Sequence, residues 1–144
     1  MIYGFIGLGN MASAILRGMA ASGNFADDTL CGFNRSEGKT LTLWHEIGLV
    51  PCADAAAVVD MADVVVLAVK PQMLPDVMPV VAEKLTPGKL LVSIAAGKTT
   101  CWYEAQLPEG TPVVRVMAAV HFERDVLAGA AVGILSGIIG FGLI

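Results

Sequence analysis

The sequence predicts an α/β domain on a doubly wound parallel sheet of about six strands, followed by an apolar C-terminal segment. Three observations point there. Short β-branched runs alternate with helix-like stretches from Met1 to Met117. One run, Val64-Val65-Val66-Leu67-Ala68-Val69, is apolar on both faces, as suits a strand in the middle of a parallel sheet covered by helices. A glycine-rich turn, Gly7 to Ala12, stands between the first strand and the first helix. A chain of 144 residues has room for one ordinary domain and little more.

Each element has its own signal. Ile2 to Ile6 reads as strand one. Asn10 to about Ser22 reads as a helix with Met11, Ile15 and Met19 on one face, stopped by Gly23. Thr29 to Phe33 is strand two. A second helix runs from Ser36, a serine suited to the N-cap, to about Ile47, with Gly48 as its stop. Leu49 to Cys52 is a short third strand, and Asp54 can cap a short helix through Met61. Asp63 to Val69 is strand four. A helix from about Met73 to Leu85 follows, expected to be interrupted near Pro75 and Pro79. Leu90 to Ala95 is strand five, Thr99 or Thr100 caps a helix to Leu107, and Pro112 to Met117 is strand six.

Composition excludes several classes. Hydrophobic residues make up 56% of the chain and charged residues 15%, against the low hydrophobicity of disordered chains. The net charge of −4 offers no basic face, so no nucleic-acid partner is expected. Cys31, Cys52 and Cys101 form no CxxC pair and read as buried or half-buried reduced thiols. His45 and His121 are isolated, so no metal site is expected. The N-terminus lacks the basic start of a signal peptide, and a cytoplasmic location is expected.

Gly7-Leu8-Gly9-Asn10-Met11-Ala12 fits G-x-G-x-x-[GA]. Gly7 permits the tight turn, Gly9 lets a pyrophosphate approach the backbone, and Ala12 lets the helix pack close to the strand. The helix N-terminus offers free N–H groups and a partial positive charge to phosphate oxygens. A plain structural turn is the alternative.

An NAD site wants a carboxylate at the end of strand two. This chain has Asn34-Arg35-Ser36 there, while Asp27 and Asp28 stand at the strand's other end. A guanidinium and a hydroxyl suit a 2′-phosphate, which favours NADP, with NADPH preferred over NADH. A solvated arginine beside a helix cap is the other reading. At the end of strand four stands Ala68-Val69-Lys70-Pro71-Gln72, where ligands of open α/β sheets bind. Lys70 has a solvated charge as its alternative reading. Ser93-Ile94-Ala95-Ala96-Gly97 ends strand five beside it, with small residues that suit a flat ring or ordinary close packing.

Together Gly4-Phe5-Ile6-Gly7-Leu8-Gly9-Asn10-Met11, Asn34-Arg35-Ser36, Ala68-Val69-Lys70-Pro71-Gln72, Ser93-Ile94-Ala95-Ala96-Gly97 and Val114-Arg115-Val116-Met117 closely resemble the N-terminal domain of pyrroline-5-carboxylate reductase. The resemblance covers about 1–117; the first block is shared with the 3-hydroxyisobutyrate dehydrogenase group. It implies a Rossmann-type domain followed by a helical domain that builds the dimer. It also implies NAD(P)H-dependent reduction of 1-pyrroline-5-carboxylate to L-proline, the last step of proline biosynthesis.

Carried over by match, Leu8, Gly9, Asn10 and Met11 are expected to line the pyrophosphate, with Ile6 and Gly7 also cofactor-binding, and Asn34, Arg35 and Ser36 to line the adenosine phosphate. Ala68, Val69, Lys70 and Pro71, with Ala95, Ala96 and Gly97, flank the nicotinamide end. The cofactor carries the chemistry, so no catalytic residue is assigned.

The chain departs from the family at three points. Ala55 stands where the family has an asparagine near the adenine ribose. Ala118-Ala119-Val120-His121 replaces Pro-Asn-Thr-Pro. The chain also ends about where the helical domain is expected to begin, so it is expected to be incomplete and its homo-oligomer to lack the dimer domain. From residue 118 onward the sequence looks unmatched, and Val126 to Ile144 is 19 uncharged residues with Gly129, Gly133 and Gly137 in GxxxG spacing. That segment reads as a truncated or frame-shifted end, a membrane anchor, or a divergent start of the helical domain. The alternative functions are a β-hydroxyacid dehydrogenase-like enzyme and a non-catalytic NADP-binding module.

Overall fold

A computed structural model describes residues 1–116. The expectations for Met117 and the apolar segment after it lie outside those residues. The elements are β1 (Ile2–Ile6), α1 (Asn10–Ser22), β2 (Thr29–Phe33), α2 (Glu37–Ile47), β3 (Val50–Pro51), α3 (Ala55–Met61), β4 (Val64–Leu67), α4 (Leu74–Lys84), β5 (Leu90–Ser93), α5 (Thr100–Glu104) and β6 (Val113–Arg115). The strands form one parallel sheet in the order β3-β2-β1-β4-β5-β6, the Rossmann-type order in which the chain reverses direction between β1 and β4.

Alternation along the strands explains why β4 is apolar throughout. Val64 and Val66 bury themselves on one face with Tyr3, Phe5 and the inner sides of α1 and α2. Val65 and Leu67 bury themselves on the other with α3, α4 and Tyr103 of α5. Each such side chain contributes about 1.5–3 kcal/mol of burial, so both layers are held from the sheet's centre. Gly4 of β1 sets how close α3 comes: a Cβ there would lie 2.6 Å from Val58 Cγ1 and 2.7 Å from Ala62 Cβ.

Several boundaries differ from the expected ones for local reasons. β4 ends at Leu67 and β5 at Ser93, two residues before Val69 and Ala95 respectively. At β5 the Ser93 hydroxyl accepts from the Ala95 N–H at 3.2 Å and pairs with the Tyr103 hydroxyl at 2.7 Å, turning the chain out of the sheet. The helix expected to break near Pro75 and Pro79 does not. Pro75 sits in its first turn, where no N–H is needed, and Pro79 is carried inside the helix. A short 3-10 turn, Pro71–Met73, precedes it. Thr99, not Thr100, caps α5 by accepting from the Trp102 N–H at 3.1 Å, and the helix stops at Glu104 rather than Leu107.

Asp54 caps α3 as expected, accepting from the Ala57 N–H at 2.8 Å. The other end of α3 is closed by a residue with no sequence signal. Lys89 Nζ, from the turn before β5, donates to the carbonyls of Val59, Asp60 and Ala62. A cation over the last carbonyls of a helix answers both their unpaired lone pairs and the helix dipole. Cys31 is buried and Cys52 half-buried, as expected, but Cys101 on α5 is exposed. No group of metal-binding side chains occurs among the described residues.

Candidate functional site

The carboxyl ends of β1 and β4 lie side by side, and the chains leaving them go to opposite halves of the sheet. A cavity of about 440 Å³ opens at that point. One wall is the turn after β1. Gly7 has φ +96°, and a Cβ on it would sit 2.9 Å from the Ala68 carbonyl, so conformation and space both require glycine. The Ala68 N–H donates to the Ile6 carbonyl at 2.9 Å, which fixes the β4 exit against the turn.

Gly9 is the N-cap of α1, and a Cβ on it would meet nothing within 4 Å. No side chain caps that helix and no acidic residue stands in its first turn. Its first backbone bond is Ser13 N–H to the Gly9 carbonyl, so the N–H groups ahead of Ser13 have no intrahelical partner. Open space above a glycine at an uncapped helix start is a cradle suited to a phosphate group.

The second wall is the β2–α2 connection. Arg35 and Asn34 line the cavity with Phe33, and Lys39 joins them from the first turn of α2. Ile6, Gly7, Gly9, Ala68, Val69 and Lys70 line it as well. The cations Arg35, Lys39 and Lys70 take part in none of the ion pairs among the described residues, and Asp76 is the one carboxylate in the lining. An acidic chain thus gathers unpaired positive charge in one hollow, the pattern an anionic ligand needs.

The remaining expected residues lie elsewhere. The Leu8 side chain is fully buried in the core, and its N–H donates to Asn34 Oδ1 at 3.0 Å. Asn34 Nδ2 donates to the Ser36 carbonyl at 3.2 Å. Ser36 occupies the N-cap position of α2, but its hydroxyl makes no capping hydrogen bond. Asn10 faces a smaller hollow between α1 and α2, and Met11 packs against the core. Pro71 opens the 3-10 turn and holds Lys70 extended, at φ −60° and ψ 144°. Ala95 is buried, while Ala96 and Gly97 are exposed beyond β5. None of Leu8, Asn10, Met11, Ser36, Pro71, Ala95, Ala96 or Gly97 lines the large cavity.

Sequence reasoning missed one wall. Met73, Val77 and Val80 of the α4 region line the cavity, together with Ala55, the position where the family's asparagine was expected. Their i, i+4, i+7 spacing is the available signal, and it is the same signal a core-facing helix gives. Lys39, four residues after Arg35, was legible only as one more surface lysine.

Comparison with known proteins places this geometry. A family model described as NADP oxidoreductase, coenzyme F420-dependent, matches residues 2–97. A pyrroline-5-carboxylate reductase of Methanosarcina acetivorans is 37% identical over 134 residues, covering 93% of this chain and 48% of the relative. That alignment reaches past Met117 into the segment that looked unmatched. The structure of a pyrroline-5-carboxylate reductase from Coxiella burnetii superposes with a TM-score of 0.77 at 34% identity, covering 86% of this chain and 45% of that one. The Plasmodium falciparum pyrroline carboxylate reductase, solved with NADP bound, superposes at 0.67 with 27% identity, covering 81% and 42%. This chain spans less than half the length of these curated relatives and solved structures. It belongs to the family described as NADP oxidoreductase, coenzyme F420-dependent, and is similar to pyrroline-5-carboxylate reductases over less than half of their length.

Proposed function

We propose that this chain binds NADP(H), with NADPH preferred over NADH, and serves a reductase that delivers hydride to the C=N carbon of 1-pyrroline-5-carboxylate to give L-proline. The observation that carries the reading is the cavity at the reversal of the sheet. There an uncapped helix start, a glycine with open space above it and three unpaired cations converge. The names of the relatives support the substrate.

In this reading the N–H groups at the start of α1 hold the pyrophosphate. Arg35, with the uncommitted Ser36 hydroxyl near it in sequence, takes the 2′-phosphate in place of the carboxylate that would accept an NAD ribose. Ala55, Met73, Val77 and Val80 give the cavity an apolar side against which the uncharged parts of the cofactor can pack. The bound nicotinamide supplies the hydride, and the protein supplies position and charge. A cytoplasmic location and assembly into a homo-oligomer belong to the same reading. Among the described residues no helix is long and apolar enough to cross a membrane.

The test is a titration of the chain with NADPH and NADH, followed by quenching of Trp44 and Trp102 fluorescence. A turnover assay with 1-pyrroline-5-carboxylate accompanies it. Tighter binding of NADPH with reduction of the imine supports the whole reading. Binding without turnover makes this chain a cofactor module alone, and oxidation of 3-hydroxyisobutyrate would move it to the β-hydroxyacid dehydrogenases. If neither nucleotide binds, the cofactor reading falls.

A further inference from the structure

Asn34 has the position of a ligand residue and the hydrogen bonds of a strap. Its Oδ1 accepts from the Leu8 N–H at 3.0 Å, inside the glycine turn, and its Nδ2 donates to the Ser36 carbonyl at 3.2 Å, across Arg35. Beside it the Gly7 N–H donates to the Phe33 carbonyl at 2.9 Å. Within the amide, both the acceptor oxygen and the donor nitrogen already have protein partners. Leu8 has likewise given its N–H to Asn34, so it is not free for a phosphate.

We propose that Asn34 is a positioning residue that sets the distance between the two phosphate-binding turns and thereby the preference for NADPH. This rests on the cofactor reading above. The bond to Ser36 closes a small ring around the Arg35 backbone, fixing where the guanidinium starts. The bond to Leu8 ties that ring to the turn that faces the pyrophosphate. A dinucleotide carrying a 2′-phosphate engages both turns at once, so it gains from a fixed spacing between them. NADH has no phosphate for Arg35 and draws little from the strap.

The experiment uses the full chain with Asn34→Ala, Arg35→Ala, the double variant and Asn34→Asp. It measures NADPH and NADH dissociation constants, thermal unfolding, and hydrogen exchange of the Leu8 amide. Asn34→Ala is expected to weaken NADPH about tenfold and NADH less than about twofold, with faster Leu8 exchange. In the Arg35→Ala background the same substitution is expected to leave the NADPH to NADH ratio unchanged, because the residue being positioned is gone. Asn34→Asp keeps the acceptor and is expected to keep Leu8 protected, while its charge opposes the 2′-phosphate.

Equal weakening of both nucleotides by Asn34→Ala, or additive effects in the double variant, would overturn the proposal and leave a merely structural asparagine or an independent ligand. Those results are distinct from failure of the underlying reading, in which the unaltered chain binds neither nucleotide and the proposal falls with it.

Discussion

Gly9→Ala separates folding from binding in this domain. Gly9 has φ −67° and ψ −175°, a conformation alanine adopts, and the added methyl meets no atom within 4 Å. Alanine is a poorer N-cap than glycine but reduces the freedom of the unfolded chain, so stability is expected to change by no more than about 1 kcal/mol. That corresponds to a melting shift within about 4 °C. The methyl instead occupies the open space above the start of α1, where a pyrophosphate must come close to reach the backbone N–H groups. Losing two hydrogen bonds to a charged group, at about 1.5–3 kcal/mol each, weakens NADPH by about two to four orders of magnitude. Calorimetric titration with NADPH alongside a melting curve reads both quantities. A folded Gly9→Ala protein with undiminished NADPH affinity would refute the placement of the cofactor on this turn. A collapse in melting temperature would refute the claim that the position is open.

Gly7→Ala should do the opposite. Its φ of +96° and a methyl 2.9 Å from the Ala68 carbonyl predict a loss of roughly 2–4 kcal/mol, read as a lower urea midpoint. Lys39→Ala should weaken NADPH several-fold and leave NADH nearly unchanged, measured by the same titration, because the proposed reading sets the 2′-phosphate beside Arg35, and Lys39 lines the same cavity from the first turn of α2. The Tyr3 hydroxyl is buried with no hydrogen-bond partner among the described residues, and burial pushes its pKa up to about 12. The neutral phenol is therefore the form the fold keeps. Its contribution is complete below the ordinary tyrosine pKa of about 10 and is lost as pH rises from there towards about 12. Tyr3→Phe should match or exceed the parent in melting temperature at neutral pH and remove this alkaline loss, followed by circular dichroism.

The strands and helices were legible because burial imposes period: both faces of β4 are covered, and the inner face of α1 repeats every third or fourth residue. Where strands leave the sheet was not legible. Ala68, Val69, Ile94 and Ala95 are as apolar as the residues before them. The exits depend instead on the Ser93 hydroxyl and on the fit of Ala68 against Gly7. The site divides in the same way. The glycine turn shows in sequence because φ and close approach restrict residue type. The α4 wall does not, since Met73, Val77 and Val80 have the spacing of any packed helix. Leu8 and Asn34 read as ligand residues because nothing along the chain reveals that 26 positions apart they satisfy each other.

The reversal of strand order also makes β1 and β4 a seam. Among the described residues, the half of the sheet carrying β2 and β3 is joined to the half carrying β5 and β6 by strand pairing only through Tyr3 to Ile6 and Val64 to Leu67. The cavity straddles that seam, with Arg35 on one side and Lys70 on the other. A dinucleotide bound there, as proposed, would act as a rivet between two halves whose pairing partners are far apart in sequence. Bound at a hundred times its dissociation constant, it would add about 2.7 kcal/mol to the stability of the whole sheet. Slow separation of the two halves, and proteolysis that depends on it, would then follow the supply of cofactor.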